Sequence, residues 1–141
     1  LGIIFNWGVI ICSVEFFGTI TNEYLILYLA CVLWTIGYDT IYAYQDLKDD
    51  KKNSIKSTAV LFEAKGKYLV ITSYALMLIM IGYLSLSHTI EILKLLAYFS
   101  IFIYIILNII RWDHKSEQNS GKKFRQNNVF GAIIFLYLLS F

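Results

Sequence analysis

The chain has 141 residues, 58% of them hydrophobic and only 16% charged, and its mean hydropathy of +0.63 lies well above that of a water-soluble domain. With no proline and only 8 glycines it is neither collagen-like, linker-rich nor a proline-rich disordered chain. A net charge of +2 provides no basic footprint for nucleic acid, which leaves a helical membrane protein with the lipid bilayer as its first partner.

A hydrocarbon core about 30 Å thick takes roughly 20 apolar residues of helix. Five runs approach that length. Leu1 to Gly18 is the first, interrupted only by Glu15 near its outer end. It lacks the positive leader of a signal peptide, and its opening on Leu1 in place of Met predicts that the start of the chain is missing. The polar break Thr19-Ile20-Thr21-Asn22 separates it from the second run, Tyr24 to Tyr44, which contains one charge, Asp39. Tyr68 to Leu86 is uncharged and is closed by Ser87-His88-Thr89. Leu95 to Ile110, beginning a turn earlier near Ile90, is the fourth, and Val129 to Phe141 is a fifth that is short for a span unless it starts near Phe124. The expected fold is all-α, a multi-pass transmembrane bundle of about five helices. Cys12 and Cys31 fall inside apolar runs without metal-ligand spacing and are expected to be small buried hydrophobes.

The charges fix an orientation. Lys48, Lys51, Lys52, Lys56, Lys65 and Lys67 lie between the second and third runs, and Arg111, Lys115, Lys122, Lys123 and Arg125 between the fourth and fifth. If each run crosses once, eleven of the twelve basic residues share one side, with Lys94 alone near the other. Basic loops stay cytoplasmic, so both long connections are expected inside, and the Thr19 and His88 turns and the C-terminus outside.

Asp39 is the first candidate for chemistry, because an ionisable group within a span costs about 2.5 to 3.5 kcal/mol on insertion scales and calls for a partner or a function. Asp46 and Asp50 follow at steps of seven and four residues. On a continuous helix these spacings place all three carboxylates within about 20° of one face. Oxygen ligands without Cys or His suit a hard cation, and magnesium commonly bridges one or two carboxylates to a substrate phosphate. Lys56, just beyond, is placed to neutralise charge on such a phosphate, or to act only as a topology determinant. The competing explanation is a solvated helix end in which Asp46, Asp49 and Asp50 are balanced by Lys48, Lys51 and Lys52. A channel or transporter segment with Asp39 on an ion path also accounts for the buried carboxylate. A solvated end leaves Asp39 unexplained, and an ion path leaves unexplained both the Asp46 and Asp50 pair and the downstream string Ile55-Lys56-Ser57-Thr58-Ala59.

The string Tyr38-Asp39-Thr40-Ile41-Tyr42-Ala43, followed by Asp46, Asp49-Asp50 and Ile55-Lys56-Ser57-Thr58-Ala59, resembles the second aspartate-rich region of the UbiA family of intramembrane prenyltransferases, in particular the 4-hydroxybenzoate polyprenyltransferases. Leu1-Gly2, Phe5 and Trp7 resemble the family's segment before that motif, and Phe124-Arg125, Asn127-Asn128 and Gly131 its last-helix signature. The family's first motif, N-D-x-x-D-x-x-x-D, is absent, and Val9 to Ile11 stands where relatives often carry prolines. The resemblance therefore implies that residues 1–141 are the C-terminal half of a UbiA-type domain.

It further implies magnesium-dependent transfer of a polyprenyl chain from its diphosphate to the ring of 4-hydroxybenzoate, a step of ubiquinone synthesis, in an inner membrane of a cell or mitochondrion. Asp39, Asp46 and Asp50 would hold the metal and Lys56 would bind the diphosphate. The implied partners are polyprenyl diphosphate, 4-hydroxybenzoate and a separate N-terminal half, without which the chain is expected to be inactive. Another aromatic acceptor of the quinone or haem pathways, and an inactive remnant, remain open. Aromatic faces would stabilise an allylic cation, but no aromatic residue is singled out. His88 and His114 have no metal-ligand spacing, and Asn127 and Asn128 are expected to cap a helix.

Overall fold

A computed structural model describes residues 1–87 and 91–140. The expected turn at His88 and Thr89, the start near Ile90 and the final Phe141 lie outside the described residues. Helices follow in the order α1 (Gly2–Phe5), α2 (Trp7–Phe17), α3 (Asn22–Gln45), α4 (Leu47–Lys52), α5 (Thr58–Phe62), α6 (Gly66–Leu86), α7 (Ile92–Ile110) and α8 (Glu117–Ser140), with no strand among the described residues. Helices α3, α6 and α7 are each long and apolar enough to cross a membrane.

The two outer runs depart from a single uninterrupted span. The first breaks at Asn6, whose side-chain amide donates to Gly2 O at 2.8 Å and to Thr35 Oγ1 at 2.9 Å, tying the joint between α1 and α2 to α3. The last helix starts at Glu117, twelve residues before the apolar run that predicts it, so its first half is polar. Ser116 Oγ accepts from the backbone N–H of Asn119 at 3.2 Å and starts that helix.

Local chemistry sets the other boundaries. Gly18 ends α2 in the left-handed region at φ +70°. In the expected polar break, buried Ser13 donates to Thr19 O and accepts from Thr21 N–H, each at 3.0 Å. Thr21 then caps α3, and Glu23 in the first turn complements the helix dipole. Ser57 caps α5 by accepting from Val60 N–H, while Ala59 of the same string is fully buried. The two cysteines are not buried as expected: Cys12 is exposed on α2 and Cys31 is half-buried on α3. Their helices turn those positions toward the outer surface and toward a cleft.

Helix α3 is the centre of the bundle, packed most extensively on α6 and α8, with α1 and α2 on its N-terminal half and α7 closing against α6 and α8. Lipid is as apolar as a leucine side chain, so packing within a bilayer depends on close approach and hydrogen bonds more than on the hydrophobic effect. The α3–α6 contact illustrates this. Gly37 sits so near the fully buried Tyr74 ring that a Cβ there would lie 2.7 Å from it. We therefore expect Gly37→Leu to overpack this seam and to lower stability by about 1–3 kcal/mol. The readout is the thermal unfolding midpoint in detergent, and an unchanged midpoint would mean that the seam has slack.

Candidate functional site

Three cavities lie in a row between α3 and α8. The helices run antiparallel, since Gln45 approaches Gly121, Tyr38 and Tyr42 face Phe124, and Trp34 meets Asn127. At the end where α3 stops, a charged cleft of about 530 Å³ is lined by Asp46, Asp49, Glu117, Lys122 and Arg125, with Gln45 at its side. Next along the pair is a cleft of about 660 Å³ lined by aromatic and polar groups, among them Asn6, Trp34, Tyr38, Phe124, Arg125 and Asn127. Beyond that is an apolar cavity of about 180 Å³ bounded by Leu27, Met77, Ile81, Ile134 and Leu138. Arg125 lines both the charged and the aromatic cleft, and Cys31, Trp34 and Gly131 line both the aromatic cleft and the apolar cavity.

The carboxylates are arranged differently from a single helical stripe. Helix α3 ends at Gln45 and Asp46 occupies the joint at φ −103°, ψ 8°, so the continuous face assumed from the spacing is interrupted there. Asp46 and Asp50 remain one turn apart on α4, where Asp50 N–H donates to Asp46 O at 2.9 Å. Asp46 and Asp49 line the charged cleft, whereas Asp50 is half-buried outside its walls. Asp39 is half-buried two turns back along α3, lines no cleft and forms no ion pair among the described residues. Lys56 is exposed in the connection before α5, away from the clefts. No group of three or more His, Cys, Asp or Glu side chains gathers among the described residues. Magnesium that takes one or two carboxylates and completes its shell with phosphate oxygens and water still fits Asp46 and Asp49, which share one cleft.

Ion pairs at the rim join the walls. Lys48 meets Glu117 at 2.8 Å, and this hydrogen bond raises the ammonium pKa. Lys51 meets Glu63 at 2.8 Å and holds that carboxyl below its ordinary range. Both pairs are solvent-exposed and contribute little to stability. Lys123, on the far side of α8, donates to Asn108 of α7, and burial with nearby Arg111 lowers its pKa.

Asn127 is not a cap. It lies in the interior of α8, is 9% exposed, and uses its whole side chain. Its Oδ1 accepts from Trp34 Nε1 of α3 at 3.2 Å and from the Tyr74 hydroxyl of α6, while Nδ2 donates to Lys123 O and Phe124 O at 3.3 and 3.1 Å. The polar residues before it belong to the helix, so the expected N-terminus at this point does not exist. Arg125 is the other residue whose part was not read from the sequence, where it stood only as one letter of a resemblance.

A membrane-spanning helical bundle with a cleft graded from charge to hydrocarbon along one helix pair is the class that these observations define. The chain belongs to the UbiA prenyltransferase family, whose match covers residues 1–139. It is 38% identical to 4-hydroxybenzoate geranyltransferase 2 of Lithospermum erythrorhizon, over 99% of this chain and 46% of that protein. It is 32% identical to 4-hydroxybenzoate octaprenyltransferase of Hahella chejuensis (strain KCTC 2396), over 99% of this chain and 46% of that one. With the mitochondrial 4-hydroxybenzoate polyprenyltransferase of Bos taurus it shares 36% identity, over 96% of this chain and 37% of that protein. The chain thus spans about half the length of the curated relatives it matches or less. No solved structure matches it.

Removing the shared acceptor should loosen three helices at once. Asn127→Leu strands the Trp34 and Tyr74 donors and is expected to lower stability by about 2 kcal/mol or more. Tyr74→Phe, which removes one donor and leaves the amide oxygen bonded to Trp34, should cost about 1 kcal/mol. Denaturant unfolding in mixed micelles measures both; an Asn127→Leu loss no larger than that of Tyr74→Phe would show that the Trp34 bond adds nothing to the junction.

Proposed function

We propose that this chain forms part of an enzyme that transfers a prenyl group from its diphosphate to the ring of 4-hydroxybenzoate in ubiquinone synthesis. The observation that supports it best is the charged cleft that continues past Arg125 into an aromatic, largely apolar one, which matches a diphosphate head joined to an isoprenoid tail. The relatives' names point the same way, with donors ranging from geranyl to octaprenyl.

In this reading the diphosphate lies in the charged cleft, where Lys122 and Arg125 bind its oxygens and Asp46 and Asp49, with Asp50 one turn away, hold magnesium. Magnesium bound there supplies Lewis-acid neutralisation of the leaving group's charge. The allylic C–O bond breaks, its electron pair leaves with the diphosphate, and the carbon becomes an allylic cation. The ring carbon ortho to the phenol forms the new C–C bond, and its proton passes to water or diphosphate as aromaticity returns. Trp34, Tyr38 and Phe124 line the adjoining cleft and exclude water from that cation. Asp39 supports the cluster from within the membrane, and Lys56 reaches the diphosphate only if its loop folds over the cleft.

The assay uses membranes holding this chain together with the N-terminal half of an octaprenyltransferase relative. Prenylated 4-hydroxybenzoate is expected with magnesium and not after chelation, nor from membranes holding this chain alone. Asp46→Asn and Asp49→Asn should each lower turnover about 10- to 100-fold and raise the magnesium requirement, as loss of a ligand does. Unchanged magnesium dependence in both would return these residues to a solvated helix end.

In this reading the charged cleft faces the cytoplasm or matrix at an inner membrane, and the basic connections beside it support that orientation. Single cysteines at 48, 56 and 115 should resist an impermeant thiol reagent on intact cells, and one at 21 should react. The opposite pattern would reverse the orientation.

A further inference from the structure

The apolar cavity is not needed to hold a diphosphate or an aromatic acid, and its relation to the cleft turns on one side chain. Trp34 is fixed at two points. Its indole N–H donates to Asn127 at 3.2 Å, and its outer ring edge abuts Gly131, where a Cβ would stand 3.1 Å from Cη2. In that position the ring, with Cys31 and Gly131, forms the wall common to the aromatic cleft and the apolar cavity. From Tyr38 to Leu27 the row runs eleven residues along α3, about 16 Å of helix, and Trp34 stands partway along it. The cavity behind it is about 180 Å³ of hydrocarbon-lined space, deep enough to receive more chain if the wall were removed.

We propose that Trp34 is a specificity-determining residue, the end wall that limits how much of the donor's isoprenoid tail enters between α3 and α8. The inference rests on the reading of the cleft as a prenyl diphosphate site. A tail that stops at Trp34 gains nothing from further isoprene units on this side, whereas one admitted past it exchanges lipid or water for the walls made by Met77, Ile81 and Ile134. Discrimination between chain lengths is then set by the bulk of residue 34, seated against Gly131.

The test reads occupancy and needs no turnover. Cys31 lines both spaces, so its alkylation by N-ethylmaleimide, followed by mass spectrometry of the peptide that carries it, reports a ligand on either side of Trp34. The membranes are those of the transfer assay, with geranyl, farnesyl, geranylgeranyl and octaprenyl diphosphates as protectors. In the parent chain, protection should stop improving with length beyond a short donor. Trp34→Ala should extend the gain to longer donors, shifting the long-to-short ratio of half-protecting concentrations by about tenfold, the scale of adding hydrocarbon to a fitted pocket. Trp34→Phe keeps a ring without the N–H and should stay near the parent profile. Adding Ile134→Phe to Trp34→Ala refills the cavity from its far wall and should restore the parent limit, which a merely misfolded variant would not do. Protection by every donor with the same length profile in the parent and Trp34→Ala would overturn the end-wall role while leaving the donor site standing. A profile that moves in Trp34→Phe as far as in Trp34→Ala would overturn it too, by assigning the effect to the hydrogen bond. Absence of protection by any donor would overturn both the end wall and the reading of the cleft on which it depends.

Discussion

Three helices meet at one amide. Asn127 is nearly buried in the cleft wall, so a hydrogen-bonding group of its amide left without a protein partner would cost about 1–3 kcal/mol. Its geometry meets the whole demand: the oxygen reaches across to α3 and α6, and the nitrogen turns back onto the carbonyls of its own helix. In a bilayer, helices are not driven together by apolar surface alone. A fully satisfied polar junction therefore selects one rotation of α8 relative to α3. That rotation puts Trp34 on the cleft wall, and the same register brings Arg125 to the point where charge and aromatic lining meet.

The grading of the row follows from the composition of two antiparallel helices. Helix α8 begins with Glu117-Gln118-Asn119 and ends in Leu136 to Leu139, while α3 runs the other way, from apolar Leu25 to Ala30 toward Asp39 and the joint at Asp46. Laid side by side, their polar ends coincide and their apolar ends coincide. A ligand with an anionic head and a hydrocarbon tail is accommodated by that alignment alone, before any particular side chain is considered. At the polar end Gly121 leaves room for the Gln45 side chain, whose Oε1 would lie 3.0 Å from a Cβ there, and Asp46 and Asp49 share one space with Lys122 and Arg125 of α8.

How much of this the sequence disclosed depended on the kind of signal. Hydropathy locates α3, α6 and α7 to within a few residues, because an apolar run of that length with at most one charge, in a chain without proline, has few alternatives to a spanning helix. The same measure could not see the first half of α8, since Glu, Gln, Lys and Arg are good helix formers that lower hydropathy as they extend the helix. The Ser116 cap was the available signal. Two breaks, at Asn6 and Asp46, have no proline or glycine to mark them. The first is stabilised by a bond to Thr35, a partner 29 residues away, and long-range ties of this kind are invisible to periodicity. The carboxylates were found by type and spacing. Their assignment to a single face failed at Asp46 because the spacing argument took the helix to be continuous. Asn127 differs from its expected role for the same reason as α8: a polar residue before an apolar run looks like a cap if the helix starts there, and here it starts ten residues earlier at Glu117.

The string Ile55-Lys56-Ser57-Thr58-Ala59 shows why specificity in a sequence need not lie in contact with a ligand. Its serine caps α5 and its last alanine is packed without exposure against the core, so it fastens the loop after α4 back onto the bundle. A few residues later the carbonyl of Glu63, held at φ +40°, accepts the hydroxyl of buried Tyr44, one residue before the end of α3. The acidic turn on α4 is thereby closed at both ends by covalent chain and buried contacts. The exposed pairs Lys48–Glu117 and Lys51–Glu63 add only weak tethers that salt would screen. The relative placement of Asp46, Asp49 and Asp50 consequently depends on one short helical turn and on how its flanks are docked. A change in the capping serine or the buried alanine would disturb the carboxylates without touching them, which is a sufficient physical reason for the string to accompany the acidic residues.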